Sequence, residues 1–154
     1  MSDGRRDTRP NLAHARKRAR RLAVQGLYQW QVSDHGLADI EKQFLEEQDF
    51  RQADAEYFRV LLHGVPAVVE QLDGLLTPYM ERTMPEVDPV ERAILRIGAF
   101  ELQQRPDIPY KVVINEAVSL AKTFGASESH RYVNGVLDKL ARQTRAAEVR
   151  VAGR

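Results

Sequence analysis

Cysteine is absent from the 154-residue chain. That excludes disulfides, thiolate metal sites and cysteine nucleophiles, and it fits a reducing compartment. No apolar run approaches the ~20 residues a membrane span needs. The polar N-terminus also lacks the apolar core of a signal peptide, so the expectation is a cytoplasmic protein with no membrane segment. Histidine is scarce: His14, His35, His63 and His130 are scattered, with no HExxH or similar ligand spacing. Glycine-rich phosphate loops and a GxSxG elbow are missing as well. Glu116, on an otherwise apolar helix, is the one carboxylate worth checking, and a role as partner to Lys111, Asn115 or a nearby helix start outweighs general-base work. The chain reads as no enzyme, with no metal and no cofactor.

Net charge is only +1, but it is unevenly spread. Residues 1–21 hold Arg5, Arg6, Arg9, Arg16, Lys17, Arg18, Arg20 and Arg21 against Asp3 and Asp7, a local +6 that leaves −5 for the rest. Positive charge gathered at one end steers a polyanion to one patch. Residues 1–11, interrupted by Pro10, read as a flexible basic arm.

From Leu12 to Val32 the residues sort at about 100° each into a helix with two faces. Ala19, Leu22, Ala23, Gly26, Leu27 and Trp30 form an apolar stripe. Lys17, Arg21, Val24 and Tyr28 align on another side, Arg18 falls further round, and Arg16 and Arg20 flank the stripe. Cations in a row ending in an aromatic ring suit a nucleic acid, phosphates meeting the charges and a base stacking on the ring. A solvated face whose long Arg stems cover apolar neighbours accounts for the same pattern.

The remaining pattern is helical throughout, with no period-2 alternation of useful length and no repeat. A second helix is expected over about 37–48. A third runs from about Gln52 with a kink or break at Gly64 and Pro66. Tyr79–Arg82 make at most one helical turn between two bundles. Asp88-Pro89-Val90-Glu91 reads as a helix start in which Asp88 caps and Glu91 reaches back to it. Further helices cover about 109–124, stopped by Gly125, and then run to about Thr144 from a Ser127 cap. Gly135 inside the last is explained by close helix–helix approach. The fold class is all-α: a single domain over 12–144, its sub-bundles about 12–77 and 79–144 holding three helices and then about four, and a frayed basic tail over 145–154. The turn and helix start from Phe124 to Tyr132 could hold a phosphate beside the Tyr132 ring, or place that ring on the core edge.

Six segments carry a resemblance: ARKRARRLAVQGLYQWQ (Ala15 to Gln31), YFRVLLHGV (Tyr57 to Val65), LDGLLTPY (Leu72 to Tyr79), ERAILRIGAFEL (Glu91 to Leu102), IPYKVVINEAVSLAKTFG (Ile108 to Gly125) and SHRYVNGVLDKL (Ser129 to Leu140). Together they resemble the bacterial NusB family of transcription antitermination proteins, over about residues 12–142. The resemblance implies an RNA-binding factor of two helical bundles. With a small-subunit ribosomal protein acting as NusE, such a factor binds single-stranded boxA-type RNA of ribosomal RNA transcripts. It joins the RNA polymerase complex and helps it resist termination. It further implies RNA contacts at Arg16, Lys17, Arg18, Arg20, Arg21 and Tyr132, where relatives usually carry Phe. Partner contacts are implied at Tyr28, Arg82, Glu86 and Glu91, with Pro85 standing where relatives can carry an acidic residue. The competing expectations are a protein-binding adaptor without RNA preference and a homodimeric helical protein. The RNA expectation includes a geometry: the cationic start of the first helix bare to water and close to the start of the last.

Overall fold

The structure, a computed structural model, describes residues 11–153. Among them are eight α-helices and no strand: α1 Leu12–Val32, α2 Leu37–Glu47, α3 Ala55–Ala67, α4 Val69–Leu76, α5 Pro89–Gln104, α6 Tyr110–Phe124, α7 Ser129–Thr144 and α8 Ala146–Ala152. The expected basic arm lies outside the described residues except for Asn11, whose side chain caps α1 by accepting from the Ala13 amide at 2.8 Å.

The centre of the molecule is α5. Every residue from Ala93 to Leu102 is buried, as expected of a helix surrounded on all sides. It packs against α1, α3, α4, α6 and α7. One apolar cluster therefore runs through both halves of the chain, from Ala19 and Leu27 of α1 through Phe58 and Leu62 of α3 to Leu137 and Leu140 of α7. α1 runs antiparallel to α5: Arg20 meets Glu101 near one end of α5, and Gln31 donates to the Pro89 carbonyl at the other, 2.7 Å away. α6 and α7, joined by a short connection, form the antiparallel pair that closes the second half.

Several local expectations change. The third helix starts at Ala55, where Asp54 accepts from the Tyr57 amide, and it runs through Pro66 before breaking at Val68, whose backbone leaves the helical region. In place of a turn at Tyr79–Arg82 there are two short 3₁₀ turns, Thr77–Tyr79 and Met84–Glu86. Asp88 caps α5 as expected, accepting from Val90, but Glu91 turns inward and is buried. Ser127 caps nothing; Glu128 occupies the cap position of α7 without a side-chain bond. Close approach belongs to Gly98, where a Cβ would sit 2.5 Å from Leu137 Cδ1, and not to Gly135, where a Cβ would meet nothing within 4 Å.

The frayed tail is corrected too. Arg145 is buried, and its guanidinium donates to the carbonyls of Glu101, Leu102, Arg105 and Ile108 and to Glu148, closing the α5–α6 loop. Residues 146–152 continue as α8, whose Glu148 accepts from the Tyr110 amide at the start of α6.

Candidate nucleic-acid interface

The five cations of α1 divide into two sets. Arg20 is buried, 3% exposed, with Nε donating to both Glu101 oxygens at 3.1 and 2.9 Å. Glu101 also accepts the Tyr57 hydroxyl. Burial alone would lower the Arg20 pKa, but the Glu101 carboxylate outweighs it and holds the guanidinium above its ordinary value. Burial, reinforced by Glu101, pushes the Tyr57 phenol up in turn. The Tyr57 ring gathers three guanidinium groups: Arg16 at 4.9 Å, Arg20 at 5.5 Å and Arg105 at 5.1 Å. Lys17 turns toward α6, bonding Ser119 Oγ at 3.0 Å and Glu116 at 3.3 Å.

The expectation of five bare cations is therefore corrected. Arg20 is withdrawn from solvent, and Arg16 and Lys17 are half-buried against a ring and a carboxylate. The cause is the width of the contact: α1 packs on α3, α5 and α6 at once, so positions flanking the apolar stripe are covered along with it. Val24, expected in the outer row, is buried for the same reason.

Arg18 and Arg21 remain exposed, and among the described residues neither pairs with a carboxylate. Arg18 Nε donates to His14 at 3.2 Å. Together with Leu22, Gln25, Gln48 and Asp49 they line a cleft of about 260 Å³. Asp49 in this cleft stays ionised, because the Arg51 side chain and backbone, with a smaller contribution from Arg18, hold its carboxyl down to about 2. Gln25 and Gln48 also line a second, larger groove of about 470 Å³, together with Val24, Tyr28, Val32, Phe44, Val90 and Phe124. Tyr28 is 41% exposed and Val32 52%. One solvent-facing ridge of α1 thus passes from cations at its start to an aromatic, apolar groove at its end.

The other assigned residues meet at the start of α5. Arg82 donates to Glu91 at 2.9 Å, its guanidinium lies 4.4 Å from the Tyr132 ring centroid, and Ser129 donates to the second Glu91 oxygen. Tyr132, half-buried, shares one cluster with two residues assigned to the partner; its buried hydroxyl has no partner among the described residues. Glu86 is exposed and takes a bond from Thr83 at 2.6 Å. The start of α7 is thus beside Glu91, whereas the cationic start of α1 is beside Glu101. Ten residues of helix separate those levels, about 15 Å along the α5 axis. The expected adjacency is corrected: the first and last helices begin at opposite ends of α5.

Sequence reasoning missed Glu101, which pairs with Arg20, and Tyr57, whose ring holds Arg16 and Arg20, as well as Val90 and Phe124, which wall the groove. A carboxylate inside the apolar run Ile94–Leu102 was the available signal for Glu101. Among the described residues no group of three side chains could hold a metal, and no helix is long and apolar enough to cross a membrane.

The NusB family model matches residues 17–142. The chain is 58% identical over 139 residues to the transcription antitermination protein NusB of Alcanivorax borkumensis, covering 90% of this chain and 93% of that protein. It is 56% identical over 131 residues to the protein of the same name from Edwardsiella ictaluri, covering 85% and 94%. Among solved structures it is similar to T. maritima NusB, with a TM-score of 0.70 and 28% identity over 82% of this chain and 90% of that one. It is also similar to a chain in the crystal structure of antitermination factors NusB and NusE in complex with dsRNA, with a TM-score of 0.75 and 26% identity over 82% and 96%.

Proposed function

The chain belongs to the NusB family, and from that premise we propose that it is an RNA-binding transcription antitermination factor. It binds boxA-type RNA of ribosomal RNA transcripts together with a small-subunit ribosomal protein of the NusE kind. In the cytoplasm that complex helps RNA polymerase resist termination. The observation that carries this reading is the exposed ridge of α1, on which Arg18 and Arg21 lead through Gln25 into the Tyr28 groove. Polyanion and protein partner are thereby served by one helix face. Arg18 and Arg21 take phosphates, and Arg16 and Lys17 join when RNA draws them from Tyr57 and Glu116. Arg20 acts from inside by fixing the rotation of α1. Tyr132 offers a ring to a base, while Tyr28, Glu86 and the Arg82–Glu91 pair face the ribosomal protein.

The test is binding of a single-stranded boxA-type RNA against a scrambled control and a duplex of the same sequence, with and without the ribosomal protein. Preference for the boxA strand, tightened by the partner, is expected. Equal affinity for every polyanion, or no effect of the partner, contradicts the reading.

A further inference from the structure

Gly135 lies in the middle of α7, where glycine is among the poorest helix formers. Gly98, Gly64 and Gly125 each have a neighbour that a Cβ would strike, but at Gly135 nothing lies within 4 Å of one. No packing inside the molecule requires this glycine. What its bare backbone does is keep open a cleft of about 260 Å³ between α7 and the Thr77–Tyr79 turn, lined by Tyr79, Glu81, Arg131, Tyr132, Gly135 and Lys139 with Val136 beneath. Tyr132, Gly135 and Lys139 share a helix face at three- and seven-residue steps.

We propose that this cleft is a binding site for one unpaired nucleotide of the RNA, a site that rests on the RNA-binding reading above. Tyr79 and Tyr132, both half-buried, supply aromatic walls for a base. Lys139 has no carboxylate partner among the described residues and meets the phosphate. Arg131 is paired only with Glu128, 3.1 Å away and equally exposed, a solvent-screened contact that yields readily to a phosphate. Glu81 repels the backbone and accepts from an exocyclic base amine, as carboxylates do from cytosine. Arg82, which covers one face of the Tyr132 ring, does not line the cleft and leaves it open.

The experiment uses the full chain with Gly135→Ala and Gly135→Leu, the same boxA-type RNA, and the ribosomal protein measured separately. Both variants are expected to melt at or above the parent Tm, since the new side chain replaces glycine in open space. RNA affinity is expected to fall a few-fold for Ala and tenfold or more for Leu, with ribosomal-protein affinity unchanged. Wild-type RNA affinity in both variants overturns the proposal, as does loss of the ribosomal protein in place of RNA, which makes the cleft a protein contact. Should the Gly135 variants fail to fold, Lys139→Ala decides: the slope of log K against log salt drops in magnitude by about 0.7 if that lysine meets a phosphate, and an unchanged slope overturns the site. Arg18→Glu with Arg21→Glu separates the two claims. Weakened RNA binding there with unaltered binding in Gly135→Leu removes the cleft alone, and a wild-type chain without RNA preference removes both.

Discussion

Arg18 and Arg20 stand two positions apart on α1 and do opposite work. Arg20 shares a buried carboxylate with Tyr57, so removing it strands Glu101 in the interior. Breaking a buried pair from one side costs about 3–5 kcal/mol, and Arg20→Ala should show that loss in urea unfolding. The double change Arg18→Glu with Arg21→Glu should leave the unfolding midpoint within error, because both side chains face water. In a salt titration of RNA binding, removing those two phosphate contacts should lower the slope by about 1.4. The inverse pattern, with Arg20 affecting only RNA, would falsify the division of the cations. The sequence placed Arg20 correctly at the edge of the apolar stripe. Its partner lies 81 positions along the chain, and no local pattern reports such a pairing.

Among the elements, the helices with strong periodicity and clear ends were legible. α1 has the bounds that its spacing predicts, and α2, α6 and α7 differ by a residue or two. The glycines were not legible, because a glycine left for close packing and one left for open space look alike in sequence. Gly98→Ala discriminates: its Cβ would be pressed against Leu137, and overpacking of this kind costs about 1–3 kcal/mol, measurable by thermal unfolding. α8 was hidden for another reason, since it is held by Arg145 and Glu148 and not by an apolar stripe. Burial pushes the Glu148 carboxyl up, but the Tyr110 amide and Arg145 outweigh it and leave its pKa below the ordinary value. A lowered carboxylate stabilises the fold fully above its unfolded pKa and loses that contribution as pH falls through the folded one. Thermal stability should therefore decline on acidification below the ordinary glutamate range, near pH 4.3. In Glu148→Gln that part of the decline should vanish; an identical pH profile in both proteins would exclude the link.

For the whole molecule, all-helical architecture was readable from periodicity, whereas the relative placement of helix ends was not. Which ends of α1 and α7 lie together depends on how each crosses α5, and that is settled by tertiary packing alone. With the cationic start of α1 at one end of α5 and Tyr132 at the other, the RNA reading needs a strand several nucleotides long. In the proposed reading the ribosomal partner enters along the same ridge, at Tyr28. Tyr28→Asp should therefore abolish the tightening of RNA binding by the ribosomal protein while leaving RNA affinity of the isolated chain near wild type. A matching loss in both titrations would instead place Tyr28 on the RNA path.

The pairing of Arg20 with Glu101 also orders events during synthesis. At 5–20 residues per second, Glu101 is made roughly 4–16 s after Arg20. Over that interval the Arg20 guanidinium lacks Glu101, and α1 has α2 and α3 but not α5 to pack on. The cationic start of α1 is thus made early but completes its ion pairs only once α5 and α6 are in place, and a nascent chain interrupted before Glu101 leaves Arg20 unpaired.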